Sequence, residues 1–330
     1  MQWRCPVCAR PLLLAAQGAS CELGHQFDRA RQGYINLLPA QHKASRNPGD
    51  DAGMMTARHD FLQAGYYRPL AMRILELLAA RLAESASSAS SSYANNANYA
   101  NNANYANNAN HANNANNANN ANNANNACGA TAGDRSGATK APAQLLDCGC
   151  GEGYYSGIFA AGLDSPGLAV QVAGIDISRA ALRLAARQYK QVVFAVASNF
   201  HLPVADAQVD IMTRIFAPGD DQETRRVLVP GGWLIVASPG PRHLFELKAG
   251  IYARPTEHVE PSVPEGFTCI HAERVQFLLQ LQSRAAIDAL LKMTPFAWAA
   301  RQKAATAFDD LKTLTTSADI LLRSYQVSPA

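Results

Sequence analysis

Apolar residues recur every third or fourth position between residues 70 and 82. Leu70, Ile74, Leu77, Leu78 and Leu82 fall on one face of a helix, with Pro69 near its start. Further along the chain the period changes. Gln144–Cys148 is a short apolar run that ends in glycines, which predicts a strand entering a tight turn. Val170–Ile177 predicts a second strand. Ser178 then caps a helix with Ala181, Leu182 and Ala185 on its apolar side. Val192–Ala197, Val209–Phe216 and Trp233–Ala237 predict three more strands. Strand and helix alternating at this spacing predict an α/β fold with a doubly wound, mostly parallel sheet. Arg274–Gln282 and Asp319–Gln326 predict two late strands, paired antiparallel at an edge.

The pattern fails between residues 85 and 141, which are nearly all Ser, Ala, Asn and Gly. The hexad Tyr93-Ala-Asn-Asn-Ala-Asn98 recurs from Tyr99 and from Tyr105, and again from His111 with His for Tyr. It then decays into Asn-Asn-Ala triplets up to Ala127. A six-residue period can mean a β-solenoid, but a solenoid stacks apolar residues inward, and Ala with an occasional Tyr offers little to stack. Asn competes with helix by bonding its own backbone, and nothing here offsets the entropy of ordering. The segment reads as an expanded, disordered linker, and its perfect repetition suits repeat expansion better than a shaped interaction arm.

Composition narrows the class. The chain has 330 residues, and Lys+Arg 29 against Asp+Glu 26 gives a net charge of +3. No apolar run approaches the ~20 residues of a bilayer span, and the opening MQWRCPVC lacks the apolar region of a signal peptide. A cytoplasmic protein without membrane contact is the expectation. Seven cysteines, at 5, 8, 21, 128, 148, 150 and 269, are an odd number in a chain without an export signal. That argues for metal binding or reduced thiols over a disulfide framework.

Four of the candidate metal ligands lie together in sequence. Cys5-Pro-Val-Cys8, Cys21 and His25 have the spacing C-x2-C-x12-C-x3-H of a Cys3His zinc site. A segment of about 40 residues cannot build an adequate core alone, so a metal would supply folding energy. Two buried cysteine pairs or a redox CxxC are the competing readings. A redox motif normally opens a helix after a strand, whereas this one stands at the very start of the chain with two further ligands in range. Four protein ligands fill the coordination sphere, so the Zn2+ is expected to be structural.

Asp147-Cys-Gly149-Cys-Gly151-Glu152-Gly153 follows the apolar strand. A dinucleotide fingerprint needs Gly at 149, 151 and 154, but position 154 is Tyr. A phosphate loop followed by Lys is also absent. The D-x-G-x-G-x-G form resembles the first motif of class I S-adenosylmethionine-dependent methyltransferases, whose glycines let backbone approach the cofactor. Further landmarks follow in order. Gly174-Ile-Asp176 ends the second strand in a carboxylate, which in that family accepts the ribose hydroxyls. Ala197-Ser-Asn-Phe-His-Leu-Pro203 lies where the family has its adenine loop. Val227-Leu-Val-Pro-Gly-Gly-Trp233 matches the turn before the fifth strand. The resemblance implies the class I methyltransferase sheet, with S-adenosyl-L-methionine bound at the carboxyl ends of its strands.

A narrower resemblance covers nearly the whole chain outside residues 85–141. The cysteine ligands are followed by Gly33-Tyr-Ile-Asn-Leu-Leu-Pro39, Asn47-Pro-Gly-Asp50, DCGCGEGYY from Asp147 to Tyr155, Arg214-Ile-Phe-Ala-Pro218, Pro239-Gly-Pro-Arg-His-Leu244 and Met293-Thr-Pro-Phe-Ala-Trp298. This series resembles the bacterial 23S rRNA guanine-N1 methyltransferases, a family of housekeeping enzymes and macrolide-resistance relatives that modify neighbouring guanines of one rRNA hairpin. The resemblance implies that Cys5, Cys8, Cys21 and His25 hold zinc. It also implies that Tyr67, Gly151, Glu152 and His243 line the cofactor site, and that the protein is a homodimer; Asp147, Gly149 and Gly153 join that site through the class I motif, and Asp176 is the ribose candidate.

By themselves, Tyr67 reads as a helix-cap aromatic and His243 as a helix-start residue beside Pro241. Guanine N1 carries a proton near neutral pH, so something must accept it, and Glu246 and His243 are the candidates. The expected organisation is a zinc ribbon over 1–40, a helical connector over 41–84, the Asn-rich insertion over 85–141 and the methyltransferase domain over 142–330.

Ten basic against seven acidic residues in the first 84 put positive charge near the crevice. Arg10, Arg29, Arg31, Lys43 and Arg46 are candidate phosphate readers. Two other functions share parts of this pattern: a small-molecule methyltransferase with a zinc module for stability, and a non-enzymatic RNA-binding ribbon on a dead core. The intact Asp147, Gly149, Gly151, Gly153 and Asp176 speak against the second.

Overall fold

The computed structural model describes residues 1–39, 52–88, 141–164, 169–294, 308 and 310–328, with side chains to residue 84 in the second of these stretches. The Asn-rich repeat, Lys43, Arg46 and the Met293–Trp298 motif beyond Thr294 lie outside the described residues. The chain divides into two units: Met1–Ala83 with Pro142–Ala330, and Glu84–Ala141.

The first unit is built on an eight-stranded sheet. Its elements are β1 (Leu13–Ala15), β2 (Gly18–Ser20), β3 (Gln26–Asp28), β4 (Ile35–Asn36), α1 (Ala52–Gln63), α2 (Arg68–Ser88), β5 (Ala143–Cys148), α3 (Tyr154–Gly162), β6 (Val170–Asp176) and α4 (Arg179–Gln188). They continue with β7 (Val193–Val196), β8 (Val209–Ile215), α5 (Asp221–Val227), β9 (Leu228–Pro239), α6 (Phe245–Ile251), β10 (Phe267–Leu281), α7 (Arg284–Met293) and β11 (Leu314–Val327). The sheet order is β10-β11-β9-β8-β5-β6-β7-β4. β11 runs antiparallel to both β9 and β10, and the other neighbouring pairs are parallel. This is the doubly wound, mostly parallel architecture the sequence predicts. The strand order reverses between β5 and β8, which opens a crevice beyond their carboxyl ends.

Local signals behave as their chemistry requires. Ser178 is extended, and its hydroxyl accepts from the Ala181 N–H at the start of α4. Leu70, Ile74 and Leu78 on α2 are fully buried. The late strands form the antiparallel edge pair, longer than periodicity suggests, because β10 and β11 stay in register from Phe267↔Val327 to Leu281↔Leu314 around one irregularity at Cys269/His271.

The two faces of the sheet are covered by different things. Successive residues of a strand point to opposite faces. Leu145, Val172, Ile211 and Trp233 join a core with α1 to α4, α6 and α7. Their neighbours Leu146, Ala173, Met212 and Leu234 join a second core with Trp3, Cys5, Leu12 and Cys21. The cysteine-rich N-terminus is therefore one wall of the sheet's own core. Its three-stranded sheet, β1-β2-β3, leads into β4, which pairs in parallel with β7 through Ile35↔Ala195 and Asn36↔Val196. Backbone bonds from Arg4 N to Pro203 O (2.9 Å) and from Ala205 N to Gln2 O (2.9 Å) sew the first residues to the β7–β8 connection.

Candidate functional site

Two knuckles build the cysteine site. In the first, Cys5 N donates to Arg10 O and Ala9 N donates back to Cys5 O. In the second, Cys21 N donates to His25 O, Gly24 N donates to Cys21 O, and Gly24 turns the chain at φ 79°. The four ligand atoms lie within 4.8 Å of one another. His25 presents Nδ1, at 3.3 Å from Cys21 Sγ and 3.6 Å from Cys5 Sγ, and Cys8 Sγ is 3.6 Å from Cys21 Sγ. A tetrahedron with zinc–sulfur arms of ~2.3 Å has edges of about 3.8 Å, so the set fits one Zn2+ with no open position. Burial pushes the Cys21 thiol up, but bonds to the His25 side chain and backbone outweigh it and bring the thiol down to about 6. The spacing thus assembles a tetrahedral donor set of the softness zinc selects.

At the crevice the three glycines do different work. Gly149 has φ 72°, and a Cβ there would sit 2.4 Å from Ala217 Cβ, so the β5 and β8 turns touch through it. Gly153 packs against Ala185, Phe194 and Tyr189. Gly151, at φ 56°, faces open space, where an added Cβ would meet only the Arg58 guanidinium, at 3.9 Å. Gly151 is thus the place where a ligand can lie against bare backbone.

The acids around this loop are unequal. Asp147 is buried, and its two oxygens accept from Ser156 Oγ (2.6 Å) and Thr213 Oγ1 (2.7 Å). Burial, only partly offset by these bonds, pushes its pKa up to about 6. Asp147 ties β5 to α3 and β8 and faces inward. Asp176 holds the loop from the other side, with Oδ2 accepting from Gly151 N (2.9 Å) and Oδ1 from Ser178 N (2.7 Å).

Glu152 is only 1% exposed, and burial pushes its pKa up to about 7. Its Oε2 accepts from Tyr154 N, but Oε1 has no hydrogen-bond partner. His59 Nδ1 on α1, 4.0 Å from that oxygen, is likewise buried without a hydrogen bond. Two unsatisfied polar atoms facing each other beside the open Gly151 form a cradle for a cationic group. The residues thus fit the amino-acid half of S-adenosyl-L-methionine. His59 and Arg58 carried no sequence signal, since they sit on a helix whose approach to the loop is a tertiary fact.

A second cluster flanks the crevice. Tyr67, at the start of α2, touches His243, which follows β9, through a 3.3 Å contact between Oη and Nε2. His243 Nδ1 accepts from Asp319 N (3.2 Å), so in the neutral ring Nε2 carries the proton and donates to Tyr67. Burial, followed by repulsion from the His258 ring when that ring is protonated, lowers the His243 pKa to about 4. Phe216, the residue after β8, is held at φ 52° and stacks on His243 at 5.5 Å, and it remains 40% exposed. Phe277 and Phe216 both meet the Tyr67 ring edge-on.

Both residues expected to accept a proton already accept hydrogen bonds from the protein. His243 has committed its one lone pair to Asp319 N. Glu246 Oε2 accepts from Thr316 Oγ1 and Ser317 N, and Oε1 from Ser317 Oγ. Burial raises the Glu246 pKa, but these bonds outweigh it and hold the carboxyl below its ordinary value. The carboxylate fastens α6 to β11.

Among the basic residues, Arg29 is committed internally, donating to Gly33 O and Ala15 O. Arg10 pairs with Glu22 at 3.3 Å on the surface, and Arg31 is exposed. A cavity of about 440 Å³ lies between the first knuckle and the β7–β8 connection, with Arg4, Val7, His201 and Arg226 in its lining.

A switch-point crevice with a glycine loop, an acid-lined cradle and a Cys3His ribbon on the opposite face defines a zinc-ribbon methyltransferase of class I. Comparison with known proteins agrees. Residues 3–46 match the family model described as "RlmA, N-terminal", and residues 140–284 match that of a methyltransferase domain. A Micromonospora griseorubida protein named "Putative 23S rRNA (guanine-N(1)-)-methyltransferase" is 32% identical over 314 residues, covering 89% of this chain and 86% of that protein. The 23S rRNA (guanine(748)-N(1))-methyltransferase of Streptomyces fradiae is 29% identical over 302 residues, 89% of this chain and 85% of that protein. A Bacillus subtilis relative, named "Putative 23S rRNA (guanine-N(1)-)-methyltransferase YxjB", is 27% identical over 97% of this chain and 96% of its own. The chain belongs to the 23S rRNA (guanine-N1)-methyltransferase family.

Proposed function

We propose that this protein transfers a methyl group from S-adenosyl-L-methionine to N1 of a guanine in a hairpin loop of 23S rRNA. The observation that carries the reading is the unsatisfied pair Glu152 Oε1 and His59 Nδ1 beside the bare backbone of Gly151, at the switch point of a sheet whose other face is a zinc ribbon. The bound cofactor supplies an electrophilic methyl on a sulfonium. Glu152 would meet the cationic amino group, Gly151 would leave room for the chain beside it, and Asp176, which holds the loop, would serve the ribose hydroxyls.

Tyr67 and His243 wall the crevice, with Phe216 offering an exposed ring face on which a purine can stack. Asp147, Gly149 and Gly153 act by holding this geometry. In-line placement of acceptor and methyl would supply most of the rate. Arg10 and Arg31, exposed on the ribbon, are positioned to meet phosphates. Lys43 and Arg46 extend that set by sequence.

In this reading, 1–40 is the RNA-binding ribbon, 41–84 the connector, 85–141 an insertion without a catalytic part and 142–330 the catalytic domain. The protein acts in the cytoplasm as a homodimer. Among the described residues no helix is long and apolar enough to cross a membrane.

The test uses purified full-length protein, labelled donor and an unmodified rRNA hairpin. An N1 methyl blocks the pairing edge, so reverse transcriptase should stop at one guanine. Label retained in a small molecule, with the hairpin unmarked, favours the small-molecule alternative. Failure to bind the donor in calorimetry removes both.

A further inference from the structure

A guanine-N1 transfer needs a proton acceptor, and the two candidates legible in sequence are occupied. Beyond His243, with ring centroids 6.4 Å apart, lies His258, in the connection between α6 and β10. Its backbone N–H donates to Pro241 O (3.0 Å), which fastens it to the turn that carries His243. The connection is pinned on both sides of His258. Lys248 Nζ donates to Thr256 O (3.0 Å), Arg323 donates to Pro261 O (2.7 Å) and Arg323 pairs with Glu260 (2.7 Å). A long connection held at four points is a positioned segment. Within it, His258 Nε2 is buried from solvent and has no hydrogen-bond partner. A buried polar atom without a partner destabilises the fold, and a ligand hydrogen would remove that cost.

We propose that His258 is the proton acceptor of the methyl transfer, its Nε2 taking the N1 proton of the guanine seated against Phe216 and His243. The inference rests on the guanine-N1 reading above. The N1–H bond breaks and its proton goes to Nε2. The N1 electron pair forms the bond to the methyl carbon. The bond from that carbon to sulfur breaks, and its pair stays on sulfur, which becomes a neutral thioether. The imidazolium then gives its proton to a water admitted as the methylated product leaves. The charged and titratable groups around His258 are His243 and Lys248, the Arg242–Glu257 pair, and Asp319 beneath the turn. Burial first and the Lys248 ammonium second hold the His258 pKa below its ordinary value. The ring is therefore neutral and able to accept a proton at physiological pH.

The experiment compares wild type and His258→Gln in single turnover on the rRNA hairpin across pH, with donor affinity read by calorimetry. Turnover should fall by roughly 10²–10⁴-fold with donor affinity unchanged. The acid limb of the wild-type profile should vanish in the variant, and added imidazole should restore part of the rate to His258→Ala. Independently of turnover, the His258 ring-proton resonance in NMR should titrate below pH ~6.5 and shift when the hairpin is added. If wild type marks N1 while His258→Gln stays within about threefold of it, the inference fails and the proposed function stands. If wild type marks no guanine, both fail.

Discussion

Replacing Glu152 by Gln isolates the energetics of the carboxylate buried at the glycine loop. Burial raises its pKa from 4.5 to about 7. Between those values the folded chain holds a proton that the unfolded chain has released. A native state that binds more protons than the unfolded one loses stability as pH rises. At about 1.4 kcal/mol per pKa unit, the loss across this window is roughly 3 kcal/mol, complete above pH ~7 and absent below pH ~4.5.

Glutamine has the same shape, and its carbonyl oxygen can still accept from Tyr154 N. Glu152→Gln should therefore match wild type near pH ~4 and exceed it by roughly 3 kcal/mol near pH ~8. Taking the difference between the two proteins cancels other titrations. Asp147, with its raised pKa, also loses stability as pH rises. His243, with its lowered pKa, gains stability as pH rises from about 4 to 6.5. The assay is urea unfolding of both proteins at a series of pH values. A gain that is flat with pH, or a variant less stable than wild type at pH ~8, refutes the reasoning. The same variant should bind the donor more weakly in calorimetry, because the amide has no charge to offer an ammonium.

Gly149→Ala places a methyl 2.4 Å from Ala217 Cβ at φ 72°; left-handed strain and overpacking together predict a loss of about 2–5 kcal/mol, and an unchanged melting temperature would contradict it. Chelating the metal, or Cys21→Ser, should lower the melting temperature of the catalytic sheet itself, since Cys5 and Cys21 share a core with Leu146 and Ala173; two independent transitions in calorimetry would show that the ribbon is energetically separate. Deleting residues 87–138 should leave turnover nearly intact, and a large loss in the shortened protein would overturn the linker reading of the Asn-rich repeat.

The ligand set of the zinc ribbon was legible because a CxxC knuckle and its partner knuckle are local: each turn is closed within a few residues, so spacing in sequence is spacing in space. The glycine loop was legible for the same reason. Its glycines stand at positive φ in a turn of a few residues, and Asp176 reaches Gly151 N from the adjacent strand. Glu246 shows where the same logic stops. A carboxylate one residue into a helix looks available in a sequence, yet Thr316 and Ser317, some 70 residues away, take both its oxygens. His59 and His258 gave no signal, because a lone histidine acquires meaning only through what it faces.

What the sequence determined by itself was the run of strands from β5 to β11, the helices α2 and α4, and their order: alternating apolar periods, the Ser178 cap, the turn glycines and the metal knuckles all act within about ten residues of chain. What only the tertiary structure decided was which surfaces meet. The ribbon became the second wall of the sheet because Leu146, Ala173, Met212 and Leu234 leave an apolar face that Trp3, Leu12 and the metal-ligand cysteines cover. Tyr67 met His243 across 176 residues. Contacts of that separation are set by the burial of whole faces, and no local pattern encodes them.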